Sequence, residues 1–211
     1  MSYYVLILIA YVAGSIPLGL AIGKIFFHID IRQHGSGNIG ASNVKRLLGV
    51  KAAIIALLFD VLKGYLPVVA AVRWYPTHPW VPVICGLAAI LGHNNSLFLK
   101  FTGGKGVATS CGVTLALSWK AAAVGVIVFG LITGISGYIS LGSIISAPVT
   151  GLLVWDLNHR LLPYGIFGFL VAVSVIYKHR GNIKRLREGR ELNIRDKKPA
   201  DVEQMTQENA K

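Results

Sequence analysis

Two stretches of this chain combine glycine with cations in a way that suits phosphate. The first runs His34-Gly-Ser-Gly-Asn-Ile-Gly-Ala-Ser-Asn-Val-Lys-Arg46. Gly35, Gly37 and Gly40 allow positive φ and close backbone approach, around Ser36 and Asn38. Ser42 is expected to cap a short helix that Gly49 then ends. On that helix Asn43 and Arg46, three residues apart, share a face. A glycine-rich loop feeding a helix N-terminus, with a guanidinium one turn in, fits an anionic phosphate; taken alone, it is also what a polar connector looks like. The second stretch runs Gly92-His93-Asn-Asn-Ser96 and then Lys100 to Thr109. Gly103, Gly104 and Gly106 surround Lys105 in a compact loop whose amides are expected to converge on phosphate oxygens. It is not a Walker A loop, because Gly106 follows Lys105 where Ser or Thr is needed to reach Mg²⁺. Two such loops in one chain favour anion binding over connectors.

Three further groups bear on the same chemistry. Ser140 and Ser143 lie one turn apart, although hydroxyls in membrane helices are commonly satisfied by their own backbone. His179-Arg-Gly-Asn182, leading to Glu191, is expected to continue helically and to place His179, Asn182 and Leu186 on one face. Its cations Lys184, Arg187 and Arg190 would then face anionic headgroups. Asp60 and Lys63 stand three apart inside a long apolar segment, where ionisable groups are costly and usually mark a functional interior. A purely intrahelical pair and direct substrate contact are both compatible with that spacing.

The elements that must position these residues are membrane spans. The chain has 211 residues, 54% hydrophobic and only 14% charged, against about 25% charged in soluble domains. Ten of its 21 basic residues fall between Lys178 and Lys211. An ordinary soluble enzyme and a disordered chain are both excluded. A nucleic-acid partner is not expected despite a pI near 9.9, because the cations sit between membrane-length runs. Cys85 and Cys111 lack metal or disulfide spacing and read as buried thiols. No metal or cofactor is expected.

A span needs about 20 helical residues. Segments 3–27, 52–72, 80–99, 139–157 and 160–177 meet or approach this. The stretch 107–138 is too long for one crossing and short for two, and Trp119-Lys120 divides it. The expectation is an all-α polytopic membrane protein with seven transmembrane helices, some short, or five plus a re-entrant pair at 107–138. The N-terminal run is longer than a signal-peptide core and is expected to be retained. The loop 28–51 and the C-terminal segment hold most of the cations, so the positive-inside rule puts both in the cytoplasm and the N-terminus outside. Every polar cluster then falls on the cytoplasmic side. Residues 196–211 read as a polar, disordered tail.

These residues closely resemble the acyl-phosphate:glycerol-3-phosphate acyltransferases, the bacterial PlsY family. The likeness covers roughly residues 1–192. It rests on GSGNxGxxN as Gly35–Asn43, DxxKG as Asp60–Gly64, GGKGVAT as Gly103–Thr109, SxGS as Ser140–Ser143 and HRxNIxRLxxGxE as His179–Glu191. Two departures are visible: Ser42 replaces the usual Thr, and Asn95-Ser96 replaces an aromatic followed by Pro.

The resemblance implies one membrane-integral acyltransferase domain over residues 1–195, in the bacterial inner membrane with its site facing the cytoplasm. It implies transfer of a fatty acyl group from acyl phosphate to the 1-hydroxyl of glycerol 3-phosphate, without a cofactor. The products are 1-acylglycerol 3-phosphate (lysophosphatidic acid) and phosphate, as the first acylation step of phospholipid synthesis. Functional links to acyl-phosphate-forming and second-step acyltransferase enzymes follow from those substrates. By the same likeness Ser36, Arg46, Lys105, His179 and Asn182 form the catalytic set. Gly35, Gly37, Asn38, Asn43, Lys63, His93, Gly103, Gly104, Gly106, Thr109, Ser140 and Ser143 are assigned to substrate binding, and Asp60 and Glu191 to structure.

Acyl phosphate is already activated, so no covalent acyl-enzyme is required, and no His is followed five residues later by Asp. The general base is either His179 or a donor phosphate oxygen. A phosphate transporter and a CDP-alcohol phosphotransferase are the alternatives. The first lacks an apparent internal repeat and the second lacks its paired-Asp signature.

Overall fold

A computed structural model describes residues 2–196; nearly all of the expected polar tail lies outside the described residues. Within them the chain forms ten α-helices, one 3₁₀ turn and no β-strand. The helices are α1 Tyr3–Ser15, α2 Leu18–Phe26, α3 Ala41–Leu48, α4 Val50–Trp74, α5 Trp80–Asn94, α6 Val107–Leu117, α7 Trp119–Ser136, α8 Ile139–Leu157, α9 Leu162–Lys178 and α10 Arg180–Arg187. Helices α4, α7 and α8 are each long and apolar enough to cross a membrane, and the bent pairs α1–α2 and α9–α10 bring the total to five among the described residues. Helices α5 and α6, at about 22 and 16 Å, are shorter than a full crossing. Leu8, Leu58, Ile127, Leu152 and Phe169 all point outward. This apolar exterior is what a lipid-facing surface requires.

The expected continuous span 3–27 is broken. Pro17 disfavours the helical region for the residue before it, and Ile16 is extended at φ −66°, ψ 116°. Helices α1 and α2 therefore meet at 40°. Carbonyls at a helix break need partners when no water is at hand. Ser96 Oγ donates to the Ser15 carbonyl at 2.5 Å and Lys63 Nζ to the Ile16 carbonyl at 3.1 Å. The departure at Asn95-Ser96 thus has a structural use, since Ser96 Oγ also accepts from Phe98 N to open the 3₁₀ turn Leu97–Leu99.

Other boundaries differ from expectation for local reasons. Helix α5 ends at Asn94 rather than near residue 99, because the chain folds back through the Ser96–Thr102 bridge. Helix α3 is capped by Gly40, not Ser42, which sits in the first turn; Gly49 ends it with φ 88° as expected. The stretch 107–138 divides at Ser118, whose hydroxyl accepts from Ala121 N at the start of α7. The last span does not continue straight: α9 and α10 meet at 54° about His179.

Two apolar cores hold the bundle. One surrounds Val68, Val83, Ala89, Val113 and Phe167, and the other packs α2 and α3 onto α4 through Leu20, Ile31, Val44, Leu47 and Ala56. The segment after α10 returns across the bundle to the end of α7. Ile194 N donates to the Gly137 carbonyl at 2.9 Å, and the Arg195 guanidinium donates to the Gly134 and Ile135 carbonyls. These bonds take the terminal acceptors of α7, where a cation also suits the helix dipole.

Candidate active site

All four clusters converge at one end of the bundle, around a cavity of about 430 Å³. Ser36, Asn38, Asn43, Arg46, Asp60, His93, Lys105, Gly106, Ser140, Ser143, His179, Asn182 and Glu191 all line it. The register between α8 and α9 explains part of this convergence. Gly151 and Gly168 meet where these antiparallel helices cross, and a Cβ on either would strike the other's main chain. Eleven residues from each lie Ser140 and His179, so both sit about 16 Å along from the crossing, at one level.

Asn43 builds the first wall. It is fully buried, its Nδ2 donates to the Ile31 and His34 carbonyls at 2.8 and 3.2 Å, and its Oδ1 accepts from Ser36 N at 2.9 Å. Its side chain therefore folds the glycine loop and fixes Ser36, with Gly35 and Gly37 at positive φ beneath. Asn38 Oδ1 accepts from Gly40 N and tightens the same turn. Arg46, one turn along α3, is half-buried and makes no ion pair or hydrogen bond among the described residues. Burial lowers its pKa, opposed by the more distant charges of Glu191 and Asp196.

The opposite wall is a relay of polar contacts. Lys105 Nζ donates to Asn182 Oδ1 at 2.5 Å, Asn182 Nδ2 donates to Glu191 Oε1 at 2.6 Å, and Arg185 Nε donates to Glu191 Oε2 at 2.8 Å. Burial lowers the Lys105 pKa to about 8, helped by the cations Arg185 and Arg46 and opposed by Glu191. His179 is 3% exposed and its Nδ1 lies 2.8 Å from the Val175 carbonyl. A carbonyl accepts, so Nδ1 carries the proton and a neutral ring leaves Nε2 as an acceptor. Burial, and then repulsion from Lys105, bring the His179 pKa down to about 4. The ring is neutral at pH 7.

Several assigned residues stand behind this wall rather than on it. Lys63 pairs with Asp60 at 2.6 Å, both nearly fully buried, and Lys63 does not line the cavity. Its place at the α1–α2 break is the reason. Thr109, also off the cavity, is turned toward α4 and packs on Gly64. Gly103 and Gly104 support the Lys105 loop from below: Gly104 N donates to the His93 carbonyl at 3.0 Å, and a Cβ on Gly104 would enter the His93 ring. That amide is consequently spent inside the fold and does not face the cavity. His93 Nδ1 stands 3.5 Å from Asp60 Oδ1, an electrostatic approach rather than a hydrogen bond. Ser143 donates to the Ile139 carbonyl at 2.9 Å, whereas the buried Ser140 hydroxyl has no partner among the described residues.

Sequence reasoning did not find the other half of the cavity. From the polar end it continues between α4, α6, α7, α8 and α9 past Val61, Thr114, Gly125, Gly151 and Phe167. Their residue types match those of lipid-facing positions, so only the packing separates them. The arrangement joins an anion end, with Arg46 and Lys105, to an apolar groove running into the bundle. Among the described residues no three His, Cys, Asp or Glu side chains gather as a metal site.

A family model described as glycerol-3-phosphate acyltransferase matches residues 4–189. The chain is 48% identical over 191 residues to the glycerol-3-phosphate acyltransferase of Geobacter sulfurreducens, covering 90% of this chain and 97% of that one. Its identity to the Myxococcus xanthus protein of the same name is 44% over 181 residues, covering 86% and 94%. Its fold is similar to the crystal structure of PlsY (YgiH), an integral membrane glycerol 3-phosphate acyltransferase, in the glycerol 3-phosphate form. That likeness has 37% identity and a TM-score of 0.88, over 92% of this chain and 96% of that one. Against the lysophosphatidic acid form the TM-score is 0.85. With sequence and fold alike matched along nearly its whole length, the chain belongs to the glycerol-3-phosphate acyltransferase family and is an integral membrane acyltransferase.

Proposed function

We propose that the protein transfers a fatty acyl group from acyl phosphate to the 1-hydroxyl of glycerol 3-phosphate, at the cytoplasmic face of the bacterial inner membrane. One observation carries the reading: a single cavity has two cations, Arg46 and Lys105, at one end and an apolar groove at the other. Both substrates bear phosphate and one bears a long tail, so this pairing of environments matches their combined chemistry. The positive-inside distribution of cations supports a cytoplasmic location for the polar end. The substrates make this the step between an acyl-phosphate-forming enzyme and a second acyltransferase.

In the proposed step the acceptor hydroxyl attacks the acyl carbonyl carbon, and the bond from that carbon to the phosphate oxygen breaks. The ester forms, and the proton leaves with inorganic phosphate. Lys105 and Arg46 hold the phosphates and stabilise charge developing on oxygen. Ser36, fixed by Asn43, hydrogen-bonds at the reacting end. His179 offers Nε2 to the acceptor hydroxyl and orients it. With its pKa near 4, His179 is a poor match for a base working at pH 7, so a donor phosphate oxygen takes the proton. Purified protein is expected to release phosphate from palmitoyl phosphate only when glycerol 3-phosphate is present, and to ignore palmitoyl-CoA. Comparable rates with the thioester would refute the donor assignment.

The role of His179 is separately testable. His179→Asn keeps a hydrogen-bonding side chain but does not titrate near neutrality. Under substrate assistance it keeps substantial activity, and the pH–rate profile down through about pH 4, where His179 titrates, keeps its shape. A loss of about 10²–10⁴-fold, together with disappearance of an acidic limb, would make His179 the base after all.

A further inference from the structure

The groove has a measurable depth along α9. Val175, Val171 and Phe167 follow His179 down α9 at intervals of four residues, and all three line the cavity. Twelve residues separate His179 from Phe167, which is about 18 Å at the helical rise. On the facing wall, hydroxyl side chains of α8 are turned back onto their own helix. Ser143 donates to the Ile139 carbonyl, Ser146 to the Ser143 carbonyl at 3.4 Å and Thr150 to the Ser146 carbonyl at 2.7 Å. That wall therefore presents mainly carbon to the groove.

At this depth the groove closes between α8 and α9. Phe167 is 1% exposed, the largest of the fully buried side chains, and Val113, Ala121 and Val154 pack in the same core. Beside it the Gly151–Gly168 contact brings the backbones of α8 and α9 together, leaving no gap through which a chain could pass between them. A depth of about 18 Å is slightly more than half of the ~30 Å hydrocarbon thickness of a bilayer. It is thus of the length that membrane acyl chains themselves occupy.

We propose that Phe167 is the floor of an acyl-chain groove and sets the length of the acyl group transferred. The proposal rests on the acyl-phosphate reading above and adds to it a specificity-determining residue. Phe167 acts by steric limit: a chain that ends above the ring buries every methylene, whereas a longer one must buckle or leave its reacting end displaced from Lys105 and Arg46. Burial of each methylene favours the longer chain until the floor is met, and the profile then falls steeply.

The test is the ratio of kcat/KM values for myristoyl, palmitoyl, stearoyl and arachidoyl phosphate, with glycerol 3-phosphate saturating. Phe167→Ala opens space below the floor and is expected to raise the ratio of stearoyl to palmitoyl phosphate on the order of tenfold, the effect of burying two further methylenes. Val171→Phe, one turn nearer the reacting end, raises the floor and shifts the profile toward myristoyl phosphate. Phe167→Leu and Val171→Leu give the same two directions with smaller changes in volume, and they decide the matter if either larger change prevents folding. Opposite shifts from the two positions support the floor. Variants that turn over with the wild-type chain-length profile overturn it while leaving the donor assignment standing. Wild-type protein inert toward every acyl phosphate overturns the donor assignment, and the groove's role falls with it.

Discussion

Replacing Lys105 by Ala is expected to lower kcat/KM for acyl transfer by about 10²–10³-fold, the usual cost of deleting a donor that stabilises a developing oxyanion. The loss should appear in both KM and kcat, because the cation serves the ground state and the transition state. The lysine also has a signature that a merely structural group lacks. Burial brings its pKa to about 8, so its protonated fraction falls as pH rises through that value. The profile of kcat/KM, which reports the free enzyme, should show a descending alkaline limb there. A bound phosphate favours the cation and moves the limb in kcat to higher pH. Lys105→Arg stays charged throughout and should lose the limb while keeping part of the rate. A wild-type kcat/KM that stays level to pH 10 would remove Lys105 from the phosphate site.

Lys63→Met is expected to be the most damaging change to stability. It leaves Asp60 charged and buried, and removal of one partner from a buried pair costs about 3–5 kcal/mol. It also strips the Ile16 carbonyl of its donor. The thermal unfolding midpoint in detergent should fall sharply, and addition of Asp60→Asn to Lys63→Met should recover most of the loss because no unpaired charge remains. The residual deficit, about 1 kcal/mol, is that of the orphaned carbonyl. If Lys63→Met instead raised the KM for glycerol 3-phosphate with the midpoint unmoved, the lysine would be a substrate ligand.

This contrast shows where the sequence was informative and where it was not. The polar motifs declared their chemistry through residue type: a guanidinium after a glycine loop, a lysine among glycines, a histidine and an asparagine three apart. The structure brings Arg46, Lys105, His179 and Asn182 to one cavity. Helices α4 and α8 were legible from apolar length, and the division at Ser118 from the Trp119-Lys120 interface pair. The break at Pro17 was not, because membrane helices tolerate proline, and whether one breaks depends on finding donors such as Ser96 and Lys63 from distant segments. The sequence leaves Lys63 open to both roles for the same reason: from one dimension a buried cation that closes a helix break looks like one that meets an anion. Asn43 was seen as lining a site, yet the three hydrogen bonds that make it a loop-holder depend on the path of residues 31–36. The groove residues were illegible altogether, since Val171 and the outward Val173 differ only in which side of α9 they occupy.

The return of the chain from α10 to α7 has a consequence for biosynthesis. Residues 179–196 supply His179 and Asn182, the Glu191 carboxylate behind them and the bonds that fasten this segment to the end of α7. They leave the ribosome after every residue of α1 to α9. A nascent chain halted before Asn182 would hold the glycine loop and Lys105 but lack the amide to which that lysine donates. Helices α1 to α9 can enter the bilayer while the enzyme is still unable to turn over, so catalytic competence waits on a segment made after all of them.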